Sequence, residues 1–351
     1  MSKSSKNLLV TGAAGFIGSN FCRYMLKERP EYRVIALDAL TYAGNLMTLS
    51  DIYSNPSYCA RFKFYPGRIQ DETVIRGIIE CEQIDLIVNF AAESHNDRSL
   101  LDPGSFIQTD VYGVFVLLDT AHKQNVERIL HVSTDEVCGT VLEGQFTEQS
   151  PLLPNTPYSA SKAGGELQAR AHHIAYGTPV LITRCGNNFG PYQYPEKLLP
   201  FFLTRLIDDK KVPLYGDGSQ VRDWVFVMDH CSGIDAVLHS GVPGEIYNIG
   251  CDCELPNIEV VRRVLRLLKK PDNLIKHIPD PRGKSHDQRY SIDASKLRSL
   301  GWKPAFDFES ALEETVRWYQ NNETWWRTIT ARPDYQEFIQ KFYGPSLGAD
   351  L

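Results

Sequence analysis

The sequence has no apolar run long enough to span a membrane, no internal repeat and no low-complexity tract. Transmembrane, collagen-like and disordered classes are thereby excluded. It also lacks an excess of one charge: 43 acidic side chains stand against 37 basic ones, a net charge of -6. Such a chain has no broad basic patch for non-specific nucleic-acid binding, yet a few Arg and helix ends suffice for a nucleotide-sized ligand. The eight cysteines contain no CxxC pair, and only Cys251 and Cys253 lie close together. That scatter reads as reduced intracellular thiols, with neither a disulfide framework nor a metal-ligand pattern. The amino terminus, MSKSSKN, runs into a short apolar stretch and then glycines, without the apolar core of a signal peptide, so the expected location is the cytoplasm. With 351 residues, 42% of them apolar, the chain buries enough surface to fold without staples.

Short apolar runs alternate with longer helical patterns at Asn7 to Val10, Arg33 to Leu37, Arg61 to Tyr65, Leu86 to Phe90, Arg128 to Val132 and Val180 to Thr183. Runs apolar on both faces suit a parallel sheet covered by helices, and such sheets bind ligands at the carboxyl ends of their strands. The expected fold is α/β: a Rossmann-type doubly wound parallel sheet followed by a smaller α/β substrate-binding domain. The residues just past the runs therefore become candidates: Gly12, Asp38, Arg68 with Ile69, Ala91 with Ala92, Ser133 with Thr134, and Asn187. From about Gly190 the texture turns Pro-rich and aromatic, then amphipathic from Ile258 to Leu268. The stretch after Trp326 is polar with aromatic interruptions, a tail or an extra packing element.

Thr11-Gly12-Ala13-Ala14-Gly15-Phe16-Ile17-Gly18 follows the first run directly and opens a helix. Glycines at that spacing let backbone approach a pyrophosphate, and the free N–H groups of the helix start supply donors. Asp38 stands twenty residues past Gly18, where a carboxylate accepts from a ribose 2'-hydroxyl and repels a 2'-phosphate. The pattern favours NAD over NADP.

Tyr158-Ser-Ala-Ser-Lys162 begins another helical pattern, so its i, i+4 spacing puts phenol and ammonium on one face. A phenol of ordinary pKa must be depressed by about three units, or roughly 4 kcal/mol, to act as a base at neutral pH. One cation at ~6 Å contributes about 2.8 kcal/mol at an effective dielectric of 20, so Lys162 and a cationic nicotinamide ring together suffice. Alone, YxxxK also fits an exposed Tyr and Lys; its weight comes from standing downstream of the glycine fingerprint. Ser133-Thr134-Asp135-Glu136 follows the fifth run, at the same sheet edge. Oxidising an alcohol needs a hydroxyl-binding group and a base, for which Thr134 and Tyr158 serve, but no acid pair. An acid beside a carboxylate suits removal of a proton from one carbon and protonation of a hydroxyl leaving the next. A solvated loop or helix cap is the plain alternative.

The strings TGAAGFIGSN, LDALTYAGN, NFAAESHNDRS, VSTDEVCG, PYSASKA, RCGNNFGPYQYPEKLLP, LYGDG with RDW, YNIG and HDQRY resemble the dTDP-glucose 4,6-dehydratases, extended short-chain dehydrogenases/reductases, from about Lys6 to Trp326. The resemblance implies a hydro-lyase of deoxysugar biosynthesis: NAD is retained through the cycle, C4 is oxidised, water is eliminated across C5–C6, and hydride returns to C6. It implies catalytic roles for Thr134, Asp135, Glu136, Tyr158 and Lys162. Beside the residues already named, it adds Thr41 to the cofactor site, with Tyr158, Lys162 and Asn187 shared. For the nucleotide-diphosphate sugar it implies Ser94, Thr134, Asn187, Glu196, Lys197 and Leu198. From the second half it adds Tyr215, near the base, and Arg222, Asn257, Arg289 and Tyr290. It also implies a homodimer paired through helices around Phe106 to Thr120 and Tyr158 to Tyr176. The expected division is a NAD-binding domain over 1–190 with a return segment near 225–250, a sugar-nucleotide domain over 191–330, and a tail over 331–351.

Four residues depart from the resembled pattern: Asn96 stands for Val, Cys138 for Tyr, Asp110 for Asn, and Arg68 for a carboxylate that accepts from adenine. DPRGKSHD, Asp280 to Asp287, is longer than the usual DRPGHD, which blurs the alignment of Arg282 and His286. The smaller Cys138 would make room for a sugar substituent such as an acylamino group, or be neutral. Alternatives are thus a 4,6-dehydratase of a UDP-linked hexose, a 4-epimerase or decarboxylase on the same scaffold, and, well behind, a non-catalytic NAD-binding module.

Overall fold

All six apolar runs become strands, because only a sheet covered on both sides removes every side chain of such a run from water. They are β1 (Lys6–Thr11), β2 (Tyr32–Asp38), β3 (Phe62–Pro66), β4 (Leu86–Asn89), β5 (Arg128–Val132) and β6 (Val180–Cys185) in a computed structural model that describes residues 5–350. Alternation along each strand feeds two separate cores. Leu8, Val10, Val34 and Ala36 face one helical layer, while Leu9, Ile35, Leu37 and Ile87 face the other.

Six further strands follow: β7 (Asn187–Phe189), β8 (Val212–Tyr215), β9 (Val221–Phe226), β10 (Ile246–Ile249), β11 (Glu254–Pro256) and β12 (Ile275–Ile278). The main sheet runs β10-β6-β5-β4-β1-β2-β3, and all of its pairings are parallel. β10 returns to this sheet beside β6 after the helix Val227–Ser240. Because β1 lies between β2 and β4, the winding reverses there, and the carboxyl ends of β1, β2, β4 and β5 open onto one crevice.

The smaller part holds β7-β9-β11 and β8-β12. Its helix Asn257–Leu268 buries Val260, Val261, Val264, Leu265 and Leu268, the stripe its amphipathic pattern demands. The helix Pro333–Leu347 is packed as well, burying Tyr335, Phe338, Ile339, Tyr343 and Leu347. Its Tyr335 hydroxyl donates to the Pro195 carbonyl at 2.7 Å, which ties the chain end to the PEKLLP segment. Among the described residues no helix is long and apolar enough to cross a membrane. One helix departs from α geometry: Ile107–Gly113 is wound as a π-helix, a form that turns up at functional sites, and it carries Asp110 inward.

Candidate active site

The crevice begins at the glycine turn. Gly12 has φ of +66°, and a Cβ there would lie 2.8 Å from the Ala91 nitrogen; a Cβ on Gly18 would lie 2.2 Å from the Gly12 carbonyl oxygen. Both positions require glycine, one for the left-handed turn and one for close helix packing. Gly15 caps the helix Phe16–Glu28 without any side-chain hydrogen bond, so the first-turn N–H groups stay available to an anion. Phe16, Ile17, Thr41, Ile69, Ala91 and Ala92 line the same crevice.

Asp38 closes β2 as expected. Its two oxygens accept from Ala14 N at 2.9 Å and Leu40 N at 2.7 Å, and burial pushes its pKa up against those two bonds. Each oxygen keeps a second lone pair for a ribose hydroxyl. Ser133 Oγ and Asn187 Oδ1 are buried without partners on the crevice wall. Orphaned polar atoms, a glycine cradle and a carboxylate at the end of β2 together fit a dinucleotide.

At the end of β5, Thr134 caps the short turn Asp135–Cys138: Glu136 N donates to its hydroxyl at 3.3 Å. The same hydroxyl donates to Asp135 Oδ1 at 3.2 Å, leaving Asp135 Oδ2 buried and unpaired. Burial pushes the Asp135 carboxyl well above the usual range, and the charges of Glu136 and Asp223 push the same way. Burial thus favours its protonated form. Glu136 lines the crevice beside it, half-buried.

Tyr158 and Lys162 both line the crevice from the helix Pro157–Tyr176. Lys162 Nζ donates to the Val132 carbonyl at 2.7 Å. Burial pushes the Tyr158 phenol well up, and Glu136, Asp110 and Asp135 add to this, while a Thr134 hydrogen bond alone opposes them.

Asp110 is the departure with the clearest consequence. Buried in the π-turn, it accepts from Glu93 N at 2.8 Å and Ser161 Oγ at 2.6 Å. Burial pushes its pKa up to about 7, against the pull of Lys162 and of those two bonds. The folded protein thus holds this proton more tightly than the unfolded chain, whose carboxyl titrates near 3.8. Its contribution is fully present below the unfolded pKa and is lost as pH rises through the folded one, a loss of at most about 4 kcal/mol. Asn fits the site, because its oxygen can take Glu93 N and its amide can donate to Ser161 Oγ, whose proton already reaches the Tyr158 carbonyl at 2.8 Å. Asp110→Asn is expected to melt above the unsubstituted protein at pH 8.5, with the gap shrinking as pH falls below 7 and closing only near pH 4. A gap equal at pH 8.5 and near pH 4 in thermal melts would refute the assignment.

Of the expected sugar-nucleotide residues, Ser94, Glu196, Lys197, Leu198, Tyr215, Arg222, Asn257 and Tyr290 line the crevice. Lys197 Nζ lies 6.0 Å from the Tyr158 ring centroid and donates to the Ser94 carbonyl. The Glu196 carboxylate accepts from Arg98 at 2.7 Å, and Arg222 lies 4.2 Å over the Tyr290 ring. Arg289 is corrected: it does not line the crevice but forks onto Glu254 at 2.7 and 2.8 Å and onto the Gly144 carbonyl.

Among the lining residues to which the sequence reading gave no role are Arg282, His286 and Tyr343. Arg282 donates to Asp97 at 2.6 Å beside Tyr215, and the Tyr215 hydroxyl donates to that of Tyr343 at 3.1 Å. Cys138 packs with Val137 and Ala163 against Phe146 and Leu152, away from the crevice. The substitution there opens no room for a sugar substituent. Arg68 lies exposed at the crevice mouth.

The family described as GDP-mannose 4,6 dehydratase matches residues 9–315. The chain is 47% identical over 337 residues to a dTDP-glucose 4,6-dehydratase of Xanthomonas campestris pv. campestris, covering 90% of this chain and 94% of that one. The crystal structure of DesIV, the dTDP-glucose 4,6-dehydratase from Streptomyces venezuelae with NAD and TYD bound, is similar with a TM-score of 0.87 and 48% identity, covering 92% and 99% of the two chains. A UDP-glucose 4-epimerase from Thermotoga maritima has nearly the same backbone, TM-score 0.82 over 90% and 99%, at only 26% identity. Backbone similarity is thus common to both chemistries, whereas sequence identity sides with the dehydratases. With most of its length matched at this level, from the glycine turn through both acids to the second half of the crevice, the chain belongs to the GDP-mannose 4,6 dehydratase family.

Proposed function

We propose that the protein is an NAD-dependent hydro-lyase that converts dTDP-glucose to dTDP-4-keto-6-deoxyglucose. The observation that carries this reading is Asp135: a buried carboxyl, its protonated form favoured by burial, directly beside Glu136 on the crevice wall shared with Tyr158. An epimerase has no use for that pair, since it eliminates nothing. The dTDP-glucose 4,6-dehydratases at 47% and 48% identity support the same substrate.

A hexose C5 hydrogen is not acidic until C4 is a ketone, so oxidation comes first. NAD, when bound, would supply the two-electron chemistry as hydride acceptor at C4 and donor at C6, with C5 taking back a proton, and its cationic ring would add the charge a phenolate needs. Gly12 to Gly18 and the helix start would hold its pyrophosphate and Asp38 its adenosine ribose, with Ser133 and Asn187 as further contacts. Tyr158 takes the 4-hydroxyl proton while Thr134 hydrogen-bonds that oxygen. Glu136 removes the C5 proton, and Asp135 protonates the departing 6-hydroxyl, so water leaves. Arg222 and Arg282 face the diphosphate and base end, where guanidinium forks suit phosphate oxygens.

The active form in this reading is a homodimer. Ile107, Tyr112 and Phe115 on one helix and Leu167, Ile174 and Tyr176 on the other leave apolar surface exposed, 57% for Ile107 and 63% for Ile174. Eight unpaired cysteines support a reducing, cytoplasmic setting.

Denaturing the purified protein should release NAD, identified by mass spectrometry. Offered dTDP- and UDP-linked glucose and N-acetylglucosamine, the protein should convert dTDP-glucose to a product lighter by one water. A product of unchanged mass would replace this reading with epimerisation.

A further inference from the structure

The π-turn Ile107–Gly113 is pressed onto the helix that carries Tyr158 and Lys162, because that helix turns two glycines toward it. A Cβ on Gly164 would lie 2.7 Å from Val111 Cγ2, and one on Gly165 would lie 2.4 Å from the Asp110 carbonyl oxygen and 3.2 Å from His131 Nε2. This close approach seats the Asp110 carboxyl, 1% exposed, against the Ser161 hydroxyl, next to Lys162 in the chain. Charges bear on it from two sides. Lys162 acts from the helix and Glu93 from the segment after β4, where burial raises the Glu93 carboxyl and Arg68 eases it. His131 of β5 adds none, since burial favours its uncharged ring. The flanking helices Pro103–Phe106 and Val114–Lys123 carry no charged residue within a turn of Asp110.

We propose that Asp110 is a positioning residue that works as a charge switch on Tyr158 and Lys162: ionised, it offsets the Lys162 ammonium and weakens Tyr158 as base for the 4-hydroxyl; protonated, it leaves that ammonium to act on the phenol in full. The inference rests on the function proposed above. A phenolate is favoured by each nearby cation and opposed by each nearby anion, and buried charges are little screened by salt. Burial and then Glu136 raise the Tyr158 phenol, and Asp110 is the next charge to do so. Burial pushes the Lys162 ammonium down, and Asp110 is the first of the charges that hold it up. Ionised Asp110 therefore secures the cation while cancelling its field at the phenol. Burial brings the Asp110 carboxyl to about 7, so the switch turns near neutral pH. Asn, the residue of the resembled pattern, has the shape of the protonated acid and never ionises, so a chain with Asn there runs the same reaction without the switch.

The test compares kcat for dTDP-glucose across pH in Asp110→Asn and in the unsubstituted protein, at a temperature where both stay folded. The variant should match the unsubstituted protein at pH 5.5 and exceed it increasingly above pH 7. By pH 9 the ratio should reach about tenfold, the effect of a phenol easier to ionise by about one unit. A purely structural role would give a ratio that does not change with pH; that result, or a ratio that falls as pH rises, overturns the proposal. Should Asp110→Asn not fold, Ser161→Ala decides. It removes a donor to the Asp110 carboxylate and makes that group harder to ionise, so its kcat relative to the unsubstituted protein should rise between pH 6 and 8. A relative kcat that is flat or falling over that span overturns the proposal in the same way. Unsubstituted protein that makes no ketosugar from dTDP-glucose at any pH would overturn the proposed function instead, which separates the two failures.

Discussion

Tyr158→Phe is expected to lower turnover of dTDP-glucose by about 100- to 10,000-fold, the usual worth of a positioned general base, with little change in KM or melting temperature. The variant removes one oxygen and keeps the packing, since the ring meets Phe106 edge-on at 6.3 Å and lies under the Lys197 ammonium. No other described group is better placed for the 4-hydroxyl proton, because Lys162 is turned onto the Val132 carbonyl and burial favours the protonated form of Asp135. Solvent deuterium should also fail to enter C5, although Tyr158 does not touch that carbon: without the ketone there is no acidic hydrogen for Glu136 to remove. Quenched reactions read by mass spectrometry give both numbers. Deuterium at C5 with turnover abolished would mean that the ketone forms without Tyr158, and the phenol would lose its role.

The first half of the crevice was legible because its signals are local. Gly12, Gly15 and Gly18 encode a turn, Asp38 lies one strand away, and Tyr158 with Lys162 share a helix face at i, i+4. What surrounds those two side chains was not legible, since the Val132 carbonyl and the carboxyl groups of Asp110 and of Asp135 with Glu136 come from other segments. Arg289 was misread for a geometric reason. It sits next to Tyr290 in extended chain that pairs with Val221, and neighbours in such a chain point to opposite sides. Tyr290 therefore faces the crevice and Arg289 faces Glu254. Tyr343 escaped because only the folded chain brings the last helix against Tyr215, 128 residues earlier. Asn96 stood out as a departure, but its partners, Glu136 and Thr156, lie 40 and 60 residues away.

The two acids should fail in different ways. Glu136→Gln is expected to stop both deuterium entry at C5 and loss of water, lowering turnover by about 100- to 10,000-fold. The amide oxygen can still accept from Asn96, so the fold and the oxidation at C4 survive, and a bound 4-ketoglucose nucleotide, two hydrogens lighter than substrate, should appear on quenching. Asp135→Asn should lower turnover over a similar range by another route, since an amide cannot protonate the departing 6-hydroxyl. Glu136 remains in place there, so C5 continues to exchange with solvent while water is retained. The substitution is structurally mild, because burial already favours an uncharged side chain there and Oδ2 has no partner to lose. The division of labour thus predicts exchange without elimination in one variant and neither in the other. If Asp135→Asn lost exchange as completely as Glu136→Gln, the C5 base would not be Glu136 alone. If both variants still dehydrated substrate at full rate, the acid pair would be structural and the case for elimination over epimerisation would lose its main support.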